Sequence, residues 1–226
     1  MNTSSNSPVS SMVKRLKIAA DIVRADLKLV GERASYPWPG SDKLWGGYSY
    51  EIPKEEQVRS AFWAQLHDRE IMACELEWNH YQMTGRKIAN SEIDLVGFPC
   101  IGTSRAPVLL LEFKRVWSLN GWLNKSREMK AGIAKDMARL RRVLASLKVC
   151  SEVPPLAGVV VVAFSDDKSR GARDSSWDVW PGSTSEELWD VGEPICVSSL
   201  NETRRREIYS RADLFIVSAD ASDDGK

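Results

Sequence analysis

Residues 91–114 read SEIDLVGFPCIGTSRAPVLLLEFK, two β-like runs joined by a connecting segment that contains proline, glycine and serine. Side chains alternate between the two faces of a strand, so Glu112 and Lys114 should share one face while Phe113 points the other way. In the first run, Asp94 stands where packing alone would favour an apolar residue. The two strands therefore predict a place where acidic and basic side chains meet.

Pairing of the two strands would bring Asp94, Glu112 and Lys114 together. Two carboxylates held close together repel each other, which raises the pKa of one of them unless a divalent cation lies between them. We therefore predict a metal site here. The alternative interpretation is an ordinary salt bridge between surface charges at the end of a strand.

An Asp on one strand followed by Glu-x-Lys at the end of the next resembles the active site of the PD-(D/E)xK nuclease superfamily, which has the restriction-endonuclease-like fold. Ile93 occupies the place of the proline that names the motif. The chain has other acid-x-Lys triplets, among them those that begin at Asp26, Glu128 and Asp166. Only the triplet at residues 112–114 closes an apolar β run and follows a second run with its own Asp.

The resemblance implies a role for each residue of this site. Asp94 and Glu112 would hold Mg²⁺, or Mn²⁺, through oxygen ligands together with the main-chain carbonyl of Phe113. Lys114 would orient the attacking water or stabilise the transition state. Superfamily members also carry a Glu on the helix before the first strand, and Glu55 fits that place as a supporting ligand of the metal or the water.

The role of Glu55 leaves alternatives open. By helical angle Glu55 lies in the middle of the apolar face formed around Val58 and Phe62, whereas Glu56 falls toward Trp63. An acid in the first turn of a helix is also favoured by the helix dipole alone, without any role at a site.

The order of elements along the chain indicates the α/β fold class. The predicted elements are a helix from residue 53, strands at 71–78, 91–98 and 107–114, a helix at 125–148 and a strand at 157–164. This αβββαβ order is that of a restriction-endonuclease-like core, with a mixed central sheet flanked by helices. Because a helix separates the last two strands, those strands can lie parallel.

The remaining residues flank this core. We divide the chain into a disordered tail at 1–10, an N-terminal helix ending at Gly31 with an aromatic loop at 11–52, the nuclease-like core at 53–165, a C-terminal α/β extension packed on the core at 166–220, and a second tail at 221–226. In the extension we expect helices at 185–190 and 201–211 and a strand at 213–217. The N-terminal helix can cover the core or form a dimer contact, and the loop aromatics can stack on bases or fill a groove.

The predicted helix at residues 125–148 carries the strongest basic patch of the chain. Its apolar stripe consists of Ile133, Met137, Leu140, Leu144 and Leu147. Its other faces hold eight Lys and Arg residues against only Glu128 and Asp136. Such a surface can bind phosphates or can simply be a solvated helix face. The residues that we predict to contact nucleic acid are Lys125, Lys130, Lys135, Arg139 and Arg142.

Equal numbers of acidic and basic residues, 31 of each, leave no net charge to draw the whole protein to nucleic acid or to anionic lipid. There is no secretory pattern and no apolar run approaching the ~20 residues of a membrane span, so we expect a soluble cytoplasmic protein. The four cysteines form no CxxC pair, and no Walker loop, HExxH motif or serine triad can be recognised. The absence of these motifs argues against a zinc protein, a P-loop enzyme, and a hydrolase that uses an HExxH motif or a serine triad.

From the sequence we predict a metal-dependent nuclease that hydrolyses phosphodiester bonds of nucleic acid, with DNA favoured over RNA and endonuclease action over exonuclease action. The alternative is a non-catalytic binding module on the same fold, in which these charges are structural and the basic helix holds nucleic acid or a partner protein. A homodimer built on the N-terminal helix is compatible with either function.

Overall fold

The structure, a computed structural model, describes residues 8–34, 54–79, 92–102, 106–118, 122–147, 154–165, 185–199 and 205–218. Its helices are α1 (Pro8–Ala34), α2 (Glu55–Leu66) and α3 (Trp122–Leu147). Its strands are β1 (Met72–Asn79), β2 (Glu92–Pro99), β3 (Leu109–Ser118), β4 (Leu156–Ser165), β5 (Ser185–Trp189), β6 (Cys196–Ser199) and β7 (Arg205–Val217).

In the part of the chain that the structure describes, six strands form one mixed sheet in the order β1-β2-β3-β4-β7-β5, and β6 pairs with β7 beside this path. Neighbouring strands are antiparallel except β3 and β4, which run parallel. From α2 to β4 the elements follow the predicted αβββαβ order, with α3 as the crossover that parallel neighbours need. The predicted α/β class, with a mixed sheet flanked by helices, is therefore confirmed.

The two faces of the sheet are covered by different helices. On one face, Phe62 of α2 contacts Phe113 of β3 and Trp189 of β5, at ring-centroid distances of 5.4 and 6.3 Å. On the other face, α3 buries its predicted apolar stripe against β4, where Val159 and Val161 lie in the same cluster. Burying a side chain as large as Phe62 completely stabilises the fold by about 1.5–3 kcal/mol. The helices therefore hold the sheet between two separate apolar layers.

Helix α1 covers the core, which is one of the two roles that its sequence allows. Leu16 and Val23 are buried in the same cluster as α2. The helix begins at Pro8, because proline suits the first turn, so the last three residues of the expected tail are helical. It also continues past Gly31, where we expected it to end. The aromatic loop lies, from residue 35, outside the described residues, and a dimer contact stays a prediction.

The two helices predicted in the C-terminal part are wrong, because both regions form strands. Residues 185–189 form β5, and residues 205–211, whose sequence RREIYSR suggested a helix, belong to β7. β7 pairs with β4 along residues 209–217, in the interior of the sheet, so tertiary pairing overrides the local pattern. The strand predicted at 213–217 is confirmed as the end of β7. In its described residues this part is all-β and not the α/β extension that we expected.

Candidate active site

The site forms where β2 and β3 separate. The two strands pair at three positions, the last of which places Leu95 opposite Leu111. The same register would place Asp94 directly opposite Glu112, but the ladder has ended there. The main-chain N–H of Phe113 donates instead to Asp94 Oδ2, at 2.8 Å. The Asp94 side chain thus takes the place of a main-chain acceptor on β2, and the strands part at the two carboxyl groups.

An irregularity in β1 brings a further acid to the same place. Glu77 has a φ of 54°, a left-handed conformation that is uncommon for residues other than glycine. The side chains before and after it lie on opposite faces, since Leu76 packs against the cluster of α1 and α2 while Trp78 lies in the cluster of α3. In a regular strand these two side chains would share a face. Backbone strain of this kind costs on the order of 1–3 kcal/mol and concentrates at functional sites.

Arg59 of α2 joins Asp94 to Glu77. Its Nη1 atom lies 3.1 Å from Asp94 Oδ1, and its Nη2 atom lies 3.0 Å from Glu77 Oε1. Burial opposes the charge of Arg59, but the two carboxylates outweigh it, so the pKa of Arg59 is raised. We did not predict this residue. It follows Glu55 by one helical turn, which is the signal that could have found it.

Glu55, in the first turn of α2, reaches the Glu-x-Lys strand. Its Oε2 atom accepts a hydrogen bond from the main-chain N–H of Arg115, at 3.0 Å, and its Oε1 atom lies 3.9 Å from Lys114 Nζ. Glu56 is exposed. The structure therefore places Glu55, rather than Glu56, at the site, and its role toward a metal or a water stays a prediction.

Glu112 is buried, with 1% of its surface exposed. Its Oε2 atom meets Arg139 Nη2 of α3 at 2.5 Å, while Oε1 has no hydrogen-bond partner among the described residues. Burial and then the neighbouring Asp94 carboxyl, which is within hydrogen-bonding reach, raise the pKa of Glu112 to about 9, although Arg139 acts in the opposite direction. Without a cation, Glu112 therefore holds a proton at neutral pH.

Lys114 projects from β3 on the same face as Glu112. Its Nζ atom lies 3.0 Å from Asp136 Oδ2 of α3. Burial lowers the pKa of Lys114, but Glu55 and Asp136 outweigh it and leave the pKa raised. Lys114 is therefore an ammonium ion at neutral pH, which can stabilise negative charge but cannot accept a proton.

Helix α3 supplies two charged residues to the site, Asp136 and Arg139, whose Oδ1 and Nη2 atoms lie 3.1 Å apart. We placed Asp136 among the polar faces of this helix, which is wrong, because Asp136 is 7% exposed. A signal was present in the sequence. Asp136 follows Ile133 by three residues and precedes Leu140 by four, which is the spacing of the apolar stripe. An acid on such a stripe needs partners, and here they are Arg139 and Lys114.

The residues predicted to contact nucleic acid do not share one surface. Arg139 points into the site, Lys135 and Arg142 are exposed, and Lys130 is half-buried. The side chain of Lys125 lies outside the described residues. By helical spacing, Lys135 and Arg142 lie on the same flank of α3 as Arg139, and Lys130 lies on the opposite flank. Contact between any of them and nucleic acid stays a prediction.

These contacts define one charge network. Its members are Glu55, Arg59, Glu77, Asp94, Glu112, Lys114, Asp136 and Arg139. Its five acids outnumber its three bases, so the fully ionised network has two negative charges in excess. A divalent cation between Asp94 and Glu112 would balance that excess and would give Glu112 Oε1 a positive partner.

The donor set suits a hard cation such as Mg²⁺ or Mn²⁺, which prefer carboxylate, carbonyl and water oxygen atoms. In the part of the chain that the structure describes, no group of three or more His, Cys, Asp or Glu side chains is arranged to hold a metal. The predicted site needs two such side chains, Asp94 and Glu112, because the Phe113 carbonyl and water would complete an octahedral shell. The residues present therefore fit a cation that keeps several waters.

No family model matches this sequence, and comparisons with curated proteins and with solved structures also gave no match. The resemblance to the PD-(D/E)xK superfamily consequently depends on the residues of the site and on the element order. Across the ranges described above, no helix is long and apolar enough to cross a bilayer.

Proposed function

We propose that the protein is a metal-dependent nuclease with a restriction-endonuclease-like core, which hydrolyses phosphodiester bonds within DNA. The observation that carries the proposal is the buried carboxyl group of Glu112, which lies within hydrogen-bonding reach of the Asp94 carboxyl. Placing a buried acid beside a second, half-buried acid destabilises a fold, so packing alone does not explain the pair. A divalent cation bound between them does.

Each side chain then has a separate task. Asp94 and Glu112, together with the Phe113 carbonyl, would hold the cation. Arg59 and the Phe113 N–H orient Asp94, because each binds one of its two oxygen atoms. When bound, Mg²⁺ or Mn²⁺ lowers the pKa of a coordinated water and neutralises charge that develops on the phosphate.

Lys114, beside Asp136 of α3, and Glu55 of α2 complete the site. The Lys114 ammonium remains charged and offsets the negative charge that grows on the phosphate in the transition state. Glu55 uses Oε2 to accept the N–H of Arg115, which leaves Oε1, on the side of Lys114, to orient the attacking water.

A second candidate function is a non-catalytic module that binds nucleic acid or a partner protein. It is favoured by the observation that three central acidic or basic side chains already contact a side chain of the opposite type within the chain. The pairs are Asp94 with Arg59, Glu112 with Arg139, and Lys114 with Asp136. In such a module the charge network is structural, no cation binds, and the exposed bases of α3 form the binding surface.

The variants Asp94→Asn and Glu112→Gln test the nuclease function, because each removes a charged ligand and preserves the shape of the side chain. Cleavage of DNA with Mg²⁺ or Mn²⁺ should fall by at least ~10²-fold, the scale for loss of one stabilising group from a preorganised site. Circular dichroism should show that both variants are folded. Glu56→Gln, at an exposed acid of α2, is the control. Unchanged cleavage in either site variant, or a wild type that cleaves with neither cation, would contradict the nuclease function.

A further inference from the structure

We infer that Asp136 is a positioning residue, which holds the Lys114 ammonium at a set place relative to Glu112 and acts through Lys114 rather than on the substrate. The inference rests on the proposed nuclease function. It gives α3 a role in the reaction in addition to the roles of the motif residues on β2 and β3.

Asp136 contacts two positively charged side chains, Lys114 of the motif and Arg139 of α3. Its Oδ1 atom lies 3.1 Å from Arg139 Nη2, and its Oδ2 atom lies 3.0 Å from Lys114 Nζ. Arg139 uses the same Nη2 atom to reach Glu112 Oε2. A chain of contacts therefore leads from Glu112 through Arg139 and Asp136 to Lys114, and Glu112 and Lys114 both belong to β3. In this way α3 holds both charged ends of the Glu-x-Lys motif.

The Lys114 side chain needs such a partner because the strand fixes only its backbone. A lysine side chain is long and flexible, so it loses rotamer entropy when it is held in one place. Glu55 lies farther from Nζ, at 3.9 Å, and its side chain is 39% exposed. The Asp136 side chain is 10% exposed, and attraction between charges is screened less away from water. Asp136 is therefore the stronger partner of the ammonium.

Packing does not account for an acid at position 136. Its neighbours on the helix face, Ile133, Met137 and Leu140, are buried apolar residues, and another apolar residue would extend the stripe. Asp136 Oδ2 instead meets the Lys114 ammonium, a charged partner, at 3.0 Å. A buried ion pair is weak support for stability compared with apolar packing. An acid at this position therefore points to a role at the site.

A double-mutant cycle separates positioning from a structural role. In the full chain with Mg²⁺, Asp136→Asn should lower kcat by about 10–100-fold, the range for residues that orient groups of a metal site, and should leave KM unchanged. In the Lys114→Met background the same change should lower kcat no further, because its effect passes through the missing ammonium. A comparable additional loss in that background would overturn the inference. Asp136→Ser, which also removes the charge, gives the same comparison should the Asn variant fail to fold.

A second measurement does not depend on cleavage. In metal-free protein with ¹⁵N-labelled lysine side chains, the Lys114 ammonium signal can be assigned by its loss in Lys114→Met. The signal should report an ordered ammonium in the wild type and a motionally averaged one in Asp136→Asn. Asp26→Asn, at an exposed acid of α1, is the matched control and should leave the signal unchanged. An ordered Lys114 ammonium in Asp136→Asn would overturn the inference.

The two measurements also distinguish failure of this inference from failure of the nuclease function. A wild type that cleaves no DNA with any divalent cation removes the nuclease function, and the ammonium signal still decides whether Asp136 holds Lys114. A wild type that cleaves, together with an additive cycle or an unchanged signal, removes the positioning role alone.

Discussion

Glu112 is a buried acid beside Asp94, so its negative charge is costly in the metal-free protein. Its pKa rises from 4.5 to about 9, which means that the folded chain holds a proton that the unfolded chain releases between those pH values. The contribution of the protonated group to stability is therefore fully present below pH 4.5 and is lost as the pH rises through 9. At neutral and alkaline pH, Glu112 destabilises the metal-free fold.

Glu112→Gln should consequently stabilise the metal-free protein, and the gain should grow from about pH 5 to about pH 9. Glutamine keeps the shape of the side chain and cannot ionise, so the difference in free energy of unfolding should reach the order of a few kcal/mol. For a chain of this size each kcal/mol raises Tm by about 2–4 °C. Thermal melts in EDTA across this pH range, with Glu56→Gln as the control, measure the effect. A variant that melts earlier than the wild type at the alkaline end would show that the ion pair with Arg139 outweighs burial.

Lys114→Met distinguishes the enzyme from the binding module. In the enzyme, loss of a cation beside the two carboxylates should leave Mg²⁺ or Mn²⁺ bound at least as tightly as in the wild type. Turnover should nevertheless fall by ~10²-fold or more, because the Lys114 ammonium interacts most strongly with negative charge that develops on the phosphate only in the transition state. Calorimetric titration and steady-state kinetics measure the two quantities. A wild type that binds neither metal, with a variant that melts much earlier because Asp136 has lost a partner, would favour the module instead.

At the scale of single elements, α3 combines three surfaces on one helix. Its apolar stripe packs against β4. Asp136 and Arg139 belong to the charge network, and Lys135 and Arg142 face solvent. A helix can do this because positions about 100° apart around its axis follow one another in sequence. The exposed bases therefore lie on the flank that leads to the site.

Lys135→Ser combined with Arg142→Ser should weaken DNA binding and flatten its dependence on salt. Each phosphate contact contributes ~0.9 to the slope of log K against log salt concentration, so loss of both should lower the slope by ~1.8. Fluorescence anisotropy in an Asp94→Asn background measures binding without cleavage. The control replaces two surface bases of α1, Lys14 and Lys28, with serine, because α1 lies on the opposite face of the sheet. A slope unaffected by the α3 changes would assign these bases to a solvated face.

At the scale of the whole molecule, a cation bound between Asp94 and Glu112 should stabilise the entire fold, because only the folded chain brings these residues together. At a metal concentration 100 times Kd the gain is about 2.7 kcal/mol, which corresponds to roughly 5–10 °C in Tm. Calorimetric scans with Mn²⁺ should show this rise in the wild type and not in Asp94→Asn, with KCl at equal ionic strength as the control. Equal Tm values with and without Mg²⁺ or Mn²⁺ in the wild type would argue against a cation site.

The sequence by itself determined the features that depend on near neighbours in the chain. Strand alternation predicted that Glu112 and Lys114 share a face, and the 3.6-residue period predicted the buried stripe of α3. The apolar run at residues 157–164 predicted β4, and the intervening helix predicted a strand parallel to β3. Each of these inferences needs only the geometry of one element or of two successive ones, so a single sequence contains enough information.

Only the tertiary structure decided which distant residues meet. Arg59 reaches Asp94, and Asp136 reaches Lys114, because α2 and α3 cross the sheet at particular positions that no sequence period encodes. Residues 209–211 form a strand because the side of β4 away from β3 carries main-chain N–H and C=O groups that must be paired when buried, and residues 205–208 continue this strand in pairing with β6. Helix preferences differ by at most about 0.7 kcal/mol per ordinary residue, which is too little to oppose that pairing. The partners of the charges, like the place of β7, therefore follow from the packing of whole elements.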